Sequence, residues 1–102
     1  MISFSLGELA TFGNYILKGQ DLVIDAVSTD SRKCKNALFV ALKGEKFDGH
    51  DYIEKAIEGG AVAVVSSKVL PESITDRVSI VLCDDTLKAL GYCGYLVRRK
   101  SK

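Results

Sequence analysis

The 102-residue sequence has a single histidine, a single proline, no tryptophan and no long apolar run. One histidine excludes any catalytic or metal site that needs two imidazoles. The longest apolar segments fall far short of the roughly 20 residues of a membrane span. The first residues, Met1 to Phe4, show neither a basic region nor a cleavable apolar segment. We therefore expect a cytoplasmic protein without a membrane-inserted segment.

An excess of charge of one sign is also lacking, since 14 Lys and Arg residues stand against 13 Asp and Glu residues, for a net charge of +1. A chain with this balance offers no general attraction to nucleic acid or to an anionic membrane surface. We therefore expect no nucleic-acid partner, and any anion site must be local.

The three cysteines are odd in number and form no CxxC pair, which argues against both a disulfide framework and a zinc site. Cys83 and Cys93 are expected to be small buried apolar residues. Cys34 lies between Lys33 and Lys35, an environment that would lower the pKa of its thiol. The alternative is an incidental loop cysteine, because no base stands nearby in the sequence.

Helix and strand patterns alternate along the chain, whose apolar content of 47% suits one globular domain. Ser5 and Glu8 form a capping box that predicts a helix over 6–12. A turn at 19–21 is expected to fold one strand against the next. The predicted strands are 15–18, 22–27, 37–42, 61–65 and 79–82. The remaining predicted helices are 52–57, ended by Gly59-Gly60, and a last helix capped by Asp84 or Asp85.

The fold class follows from that order. The run 37–42 is apolar throughout, which predicts a strand covered on both faces. The order of strand 37–42, helix 52–57 and strand 61–65 predicts that the two strands pair in parallel through a right-handed crossover. Segment 66–77 is expected to be a surface connection with at most one turn of helix. We predict an α/β domain of three layers with a small mixed, largely parallel sheet. The predicted buried face of the last helix consists of Leu87, Leu90, Gly94 and Val97.

Polar residues cluster just after two of the predicted strands, where open α/β sheets bind their ligands. Thr29 and Ser31 flank Asp30 directly after the strand 22–27. Short hydroxyls in this position can recognise a planar base or a sugar, while Asp30 can hold Arg32 or cap a turn. An ordinary Asp/Ser turn is the alternative.

The loop after the buried strand combines glycines with cations, as a phosphate site requires. Lys43 and Lys46 can screen a diphosphate there. The spacing of Gly44 and Gly49 resembles a P-loop only in outline, because Lys-Ser/Thr does not follow the second glycine. A solvated charged turn is the alternative.

Two further residues of this loop each have two interpretations. Phe47 either stacks on a nucleobase or packs into the core. His50 is expected to make a hydrogen bond at a helix start rather than act as a general base, with Asp48 or His50 near the N-cap. No nucleophile stands beside an activating base in the sequence, so the chain is interpreted as a binding module.

Three motifs together are specific: TDSR at 29–32, LFVALKGE at 38–45 and FDGHDYI at 47–53. They resemble the N-terminal domain of the Mur ligases of bacterial cell-wall synthesis. The form KGEKFDGHD is most similar to the MurF type, which adds D-alanyl-D-alanine to UDP-N-acetylmuramoyl-tripeptide. A MurE-type amino-acid ligase, which usually has a different loop before DGH, is one alternative. A free-standing domain of the same fold without enzymatic function is another.

The resemblance implies that this domain binds the UDP moiety of the muramoyl-peptide substrate. It implies that certain residues surround the uridine diphosphate, namely Thr29, Ser31, Glu45, Lys46 and Phe47. Others would support or extend that pocket, namely Arg32, Lys43, Asp48 and His50.

In the family, two further domains supply ATP binding and the second substrate. No GxxGKT/S phosphate loop occurs within the 102 residues. ATP and Mg²⁺ are therefore expected only in a full-length ligase, and this chain alone is expected to carry no cofactor and to be inactive. We expect residues 1–102 to be one domain excised from, or a truncated copy of, a three-domain ligase. Its expected partners are the UDP-linked substrate and the two further domains.

Overall fold

A five-stranded sheet lies between two layers of helices in the computed structural model, which describes residues 3–100. The strands are β1 Phe4–Ser5, β2 Ile16–Lys18, β3 Val23–Ile24, β4 Val27–Ser28, β5 Leu38–Val40, β6 Ala63–Ser66 and β7 Ser79–Leu82. The helices are α1 Leu6–Gly13, α2 Ile53–Glu58, α3 Glu72–Thr75 and α4 Thr86–Lys100, with a 3-10 turn at Gly49–Tyr52.

The strand order in the main sheet is β2-β7-β6-β5-β4. The four strands from β4 to β7 run parallel, and β2 pairs with β7 in the antiparallel sense. Strands β1 and β3 form a separate antiparallel pair. The predicted three-layer α/β architecture with a mixed, largely parallel sheet is confirmed.

Strand β5 is buried on both faces, as its apolar sequence predicts. Leu38 and Val40 face the layer of α1 and α4, whereas Phe39 faces the layer of α2 and α3. Successive side chains of a strand point to opposite faces, so a strand in the middle layer must be apolar at every position. The parallel pairing of β5 with β6 is also as predicted.

The N-terminal helix has the cap that its sequence predicts. The Ser5 hydroxyl accepts from the Glu8 backbone N–H at 3.0 Å, and the Glu8 carboxylate accepts from the Ser5 N–H at 2.9 Å. The helix ends at Asn14, which adopts the left-handed conformation at φ 59°. The one-turn helix α3 likewise matches the prediction for segment 66–77.

Two strand predictions were wrong. Strand β2 pairs with β7 instead of with the next strand, and the Ser79 hydroxyl donates to the Gln20 carbonyl at 2.7 Å. The predicted strand 22–27 is two strands, because β3 pairs with β1 while β4 pairs with β5. Ile24 of β3 is buried, and Val27 of β4 is partly buried against the same core cluster. The sequence pattern does not reveal the break, because Ala26 shares the predicted face of Ile24 yet is exposed, whereas Val27 from the other face packs against the core.

The buried face of α4 also differs from the prediction. Asp85 caps this helix by accepting from the N–H groups of Leu87 and Lys88. Leu87 is 66% exposed, whereas Leu90 and Val97 of the predicted face pack against the core. The buried residues are Thr86, Ala89, Cys93 and Leu96. Among residues 3–100, neither α4 nor any other helix is long and apolar enough to cross a membrane.

All three cysteines are free and buried. Burial raises the pKa of the Cys83 thiol to about 11 and that of Cys93 to about 12. Burial also raises the pKa of Cys34, so the predicted lowering by its lysine neighbours was wrong. The Cys34 sulfur lies 3.2 Å from the carbonyl oxygens of both Ser31 and Ala56, which share its single proton. It therefore ties the loop after β4 to helix α2 and is not incidental.

Gly49 brings two backbone segments into direct contact after β5. Its N–H donates to the Leu42 carbonyl at 2.6 Å. A Cβ at this position would lie 2.8 Å from both the nitrogen and the oxygen of Leu42. Real side chains do not tolerate that distance to a backbone, so the position requires glycine.

We expect Gly49→Ala to lower the free energy of unfolding by about 1–3 kcal/mol, because the added methyl forces the two segments apart. Gly91→Ala is the matched control, since nothing lies within 4 Å of a Cβ at this exposed position of α4. That variant should gain roughly 0.5–1 kcal/mol from the better helix propensity of alanine. Urea denaturation of both variants measures the two changes. Equal stability of Gly49→Ala and the parent would contradict the argument.

Candidate functional site

The two polar loops leave the same edge of the sheet. Strands β4 and β5 run parallel and in register, with Val27 opposite Leu38 and Ser28 opposite Phe39. Carboxyl ends of neighbouring parallel strands lie side by side, which is where open α/β sheets bind ligands. The TDSR loop (29–32) follows β4, and the second loop follows β5.

The TDSR loop is held by its own side chains. The Ser28 hydroxyl accepts from the Asp30 N–H at 3.0 Å, and Asp30 accepts from the Arg32 N–H at 2.9 Å. The Arg32 guanidinium forms two further hydrogen bonds with the Asp30 carboxylate, at 3.1 and 3.3 Å. These bonds from Arg32 lower the pKa of Asp30. Asp30 thus both caps the turn and holds Arg32, as predicted.

The second loop is a small hairpin over 43–48. Lys43 and Asp48 form an antiparallel bridge, and the Gly44 N–H donates to the Phe47 carbonyl at 2.6 Å. Phe47 is 49% exposed, so its predicted alternative as a core residue was wrong. Its ring stacks on Tyr52, with centroids 5.1 Å apart and planes at 20°. The hairpin therefore presents an aromatic face beside the TDSR loop.

An open hollow of about 490 Å³, here called the interloop hollow, lies between the two loops. Both polar groups and the stacked aromatic pair line it. The lining residues are Thr29, Asp30, Ser31, Arg32, Phe47, Tyr52 and Lys55.

The structure brings together only part of the predicted site. Around the interloop hollow lie Thr29, Ser31, Arg32 and Phe47. Three other predicted residues are exposed on the hairpin and do not line the hollow, namely Lys43, Glu45 and Lys46. The remaining two, Asp48 and His50, contact the segment after β6. Ligand contacts for all nine residues stay predictions.

The sequence reading missed Tyr52 and Lys55 as site residues. Tyr52 was assigned to the apolar stripe of a helix with Ile53 and Ala56, but it is 38% exposed and lines the hollow. The helix begins at Ile53 after a 3-10 turn, and a 3-10 turn rotates side chains differently from an α-helix. The spacing of Tyr52 and Lys55, three residues apart, is the signal that places both on one side of the helix start.

His50 connects the hairpin to the next strand of the sheet. Its Nε2 accepts from the Ser67 N–H at 3.0 Å, so this nitrogen carries no proton. Its Nδ1 therefore carries the proton and donates to the Asp48 carboxylate at 2.6 Å. Only 4% of the His50 side chain is exposed. The predicted hydrogen-bonding role at a helix start is confirmed, with Asp48 as N-cap of the 3-10 turn.

Lys68 completes this group, here called the His50 cluster (Asp48, His50, Ser67 and Lys68). Its ammonium donates to Asp48 at 2.9 Å. The hydrogen bond from Lys68 and those from the backbone and ring of His50 hold the pKa of Asp48 well below its usual range. The cluster joins the segments that follow β5 and β6, and so it fixes the base of the hairpin.

The cluster has the order of a Ser-His-Asp triad, which the sequence did not reveal. The Ser67 hydroxyl lies 3.2 Å from Nε2 of His50. The Ser67 backbone N–H already occupies that nitrogen, and the Lys68 N–H, which would follow a nucleophile as an oxyanion donor, is bound to the Ser66 hydroxyl at 3.0 Å. The cluster is therefore a structural connection.

The described residues do not fit a nucleoside triphosphate with its metal. Residues 3–100 contain no group of three or more Asp, Glu, His or Cys side chains that could hold a metal ion. The two glycines of the P-loop-like spacing have their N–H groups engaged, Gly44 with Phe47 and Gly49 with Leu42. A phosphate cradle needs free and convergent N–H groups, so these two glycines do not supply them, and phosphate binding by the lysines of the hairpin stays a prediction.

Comparison with known proteins decides the family. A profile described as "Mur ligase family, catalytic domain" matches residues 23–93. The UDP-N-acetylmuramoyl-tripeptide–D-alanyl-D-alanine ligase of Escherichia coli is 41% identical over 101 residues, which is 98% of this chain. This chain belongs to the Mur ligase family. The resemblance predicted from the three motifs is confirmed.

Other relatives include both ligase types named above. The D-alanyl-D-alanine ligase of Bacillus subtilis is 43% identical over 70% of this chain and 16% of its own length. A UDP-N-acetylmuramoyl-L-alanyl-D-glutamate–2,6-diaminopimelate ligase of Fusobacterium nucleatum is 41% identical over 71% of the chain and 15% of its own length. The chain spans about 22% of the length of the Escherichia coli relative.

Solved structures show the same fold. MurF from Acinetobacter baumannii superposes with a TM-score of 0.80 over 96% of this chain and 22% of its own, at 24% identity. MurF ligase from Thermotoga maritima in complex with ADP gives a TM-score of 0.57 over 67% of this chain and 15% of its own, at 32% identity. A member of the family has therefore been solved with a nucleotide.

We expect Asp48→Asn to lower the free energy of unfolding by about 1–3 kcal/mol at neutral pH, because Lys68 loses its counter-charge. Since folding lowers the pKa of Asp48 from 3.8, its contribution is present above pH 4 and is lost as the pH falls below that value. The stability difference between variant and parent should therefore shrink from pH 7 to pH 3. Thermal unfolding across that range measures it.

Glu45→Gln is the control for this series, since Glu45 is an exposed carboxylate at the tip of the same hairpin. Its stability should stay within about 0.5 kcal/mol of the parent at each pH. A constant difference between Asp48→Asn and the parent from pH 7 to pH 3 would show that the Asp48 charge does not stabilise the fold.

Proposed function

We propose that this chain is the UDP-binding domain of a ligase that joins D-alanyl-D-alanine to UDP-N-acetylmuramoyl-tripeptide. The sequence relationship to ligases of that name supports the reaction. The interloop hollow supports the role of this domain, because both motif-bearing loops line it. That convergence is the observation on which the proposal depends.

The hollow suits a uridine nucleotide in its chemistry. The exposed Phe47 ring, backed by Tyr52, offers a flat face on which a pyrimidine can stack. In the same hollow, the hydroxyls of Thr29 and Ser31 can donate to or accept from the uracil edge or the ribose. The side chains of Arg32, paired with Asp30, and of Lys55 also line the hollow and bring positive charge to it. The arrangement can hold a base, a sugar and a charged end at once.

Binding of the UDP end contributes to the reaction at a distance. The reacting carboxylate of the substrate lies at the other end of its peptide, so the domain acts by positioning and not by chemistry. Binding energy from a remote part of a substrate can be used to orient the reacting group. ATP, when bound with Mg²⁺ elsewhere in the full-length ligase, supplies the activation of that carboxylate.

The other predicted residues enter this proposal in two ways. Asp48 and His50 fix the hairpin through the His50 cluster and so hold Phe47 in place. Lys43, Glu45 and Lys46 are exposed on the hairpin, where they can reach a ligand that extends beyond the hollow. We further propose that residues 1–102 form the N-terminal domain, that the ATP-binding and second-substrate domains belong to the remainder of the ligase, and that the ligase is cytoplasmic.

A MurE-type ligase domain is the second candidate, favoured by relatives that are 2,6-diaminopimelate ligases. One of them, from Parabacteroides distasonis, is 42% identical over 74% of this chain. Both candidates bind the same nucleotide and differ in the amino-acid substrate. Sequencing the reading frame beyond Lys102, followed by assay of the whole ligase with each amine substrate, distinguishes them.

We expect the 102-residue chain to bind UDP, with shifts of the backbone amide signals of Thr29, Ser31 and Phe47. Phe47→Ala should weaken UDP binding about tenfold, because stacking of a base on an aromatic ring contributes roughly 1–3 kcal/mol. Titration followed by heteronuclear NMR measures both the sites and the affinity.

Phe12→Ala is the matched control, since Phe12 is similarly exposed, at 42%, and stacks on Tyr95 of α4 in the other helix layer. It should bind UDP as the parent does. Unchanged amide signals at millimolar UDP, or equal losses in the two phenylalanine variants, would contradict the proposed site.

A further inference from the structure

We infer that Lys55, on the first turn of α2, is the residue that selects the phosphorylated end of the nucleotide. The inference rests on the proposed function of the interloop hollow. It assigns the charge recognition of the site to a residue outside both motif loops, in place of the lysines of the hairpin.

The position of Lys55 supports this role. Lys55 lines the interloop hollow, whereas Lys43 and Lys46 do not. Lys55 follows Tyr52 by three residues, and residues at that spacing are neighbours on a helical surface, with Cβ atoms about 5–6 Å apart. A base stacked on the Phe47 and Tyr52 pair therefore has its sugar and phosphates within reach of the long Lys55 side chain.

The balance of charge around the hollow also supports this role. The hollow is lined by one carboxylate, Asp30, and two cations, Arg32 and Lys55. Asp30 and Arg32 form an ion pair at 3.1 Å, so they largely neutralise each other. Within the described part of the chain, Lys55 takes part in no ion pair. The excess positive charge facing the hollow is therefore that of Lys55.

The surroundings of Lys55 on α2 leave it available. The preceding carboxylate, Glu54, is bound by the Arg77 guanidinium at 2.8 Å. Cys34 bonds to the Ala56 carbonyl and so fixes this turn of α2 against the TDSR loop. Lys55 is thus an exposed cation on a fixed backbone, which suits recognition of a flexible diphosphate as a point charge.

Lys55→Met tests the inference, because it removes the charge and keeps most of the apolar stem. Calorimetric titrations with UDP and with uridine compare a ligand that carries the diphosphate with one that lacks it. We expect Lys55→Met to bind UDP about tenfold more weakly and uridine within about twofold of the parent. In the parent chain, raising the salt concentration should reduce the advantage of UDP over uridine.

Lys33→Met and Lys88→Met are the matched controls, since both lysines are exposed and neither lines the hollow. Each should retain UDP affinity within about threefold. Thermal unfolding establishes that the three variants fold alike. If the parent chain binds UDP and Lys55→Met binds it with equal affinity, the inference is overturned and the proposed function stays intact. So does a larger loss in either control, or an equal loss of UDP and uridine binding in Lys55→Met. Absence of UDP binding by the parent overturns both.

Discussion

Parallel pairing of β5 with both of its neighbours is the constraint on which the rest of the structure depends. Leu38 to Val40 is buried on both faces, so this strand occupies the middle layer and no other place. Its parallel alignment with β4 and β6 sends the segments after all three strands to the same edge. The TDSR loop, the hairpin and the segment of Ser67 meet there because the three strands end together.

Local interactions then give that edge its shape. Gly49 allows the hairpin to return against Leu42, and His50 connects the hairpin to Ser67 across the sheet. On the other side, Cys34 fixes the TDSR loop to α2. The two loops are thus held independently, each against the body of the domain. The hydrogen bonds of each loop to the body of the domain fix the shape of the interloop hollow.

The sequence predicted the parts of this structure that depend on local pattern. The capping box at Ser5, the buried run at 37–42 and the cap at Asp85 each depend on residues near one another in the chain, and each was confirmed. The pairing of β2 with β7 and the split of 22–27 depend on partners far away in the sequence. Periodicity carries no information about such partners.

For the candidate site, too, the sequence predicted features that depend on local pattern and missed those that depend on distant contacts. The motifs of the family identified both loops, and their common edge follows from parallel strands. The inward placement of Tyr52 and Lys55 depends on the 3-10 turn at Gly49–Tyr52, and the contact of His50 with Ser67 depends on β6. The contact of His50 with Ser67 is not visible in a local pattern, whereas the three-residue spacing of Tyr52 and Lys55 is. The lysines of the hairpin carried the strongest compositional signal for phosphate, yet the structure places them outside the hollow.

In the proposed complex, the TDSR loop and the aromatic face of the hairpin bind one uridine nucleotide together. Intermolecular nuclear Overhauser effects in the complex with UDP test this most directly. The uracil H5 and H6 protons should show contacts both to the Phe47 ring and to the Thr29 methyl group in the same bound state. Contacts to only one of the two loops, or to another surface such as the Phe12 and Tyr95 rings, would contradict it.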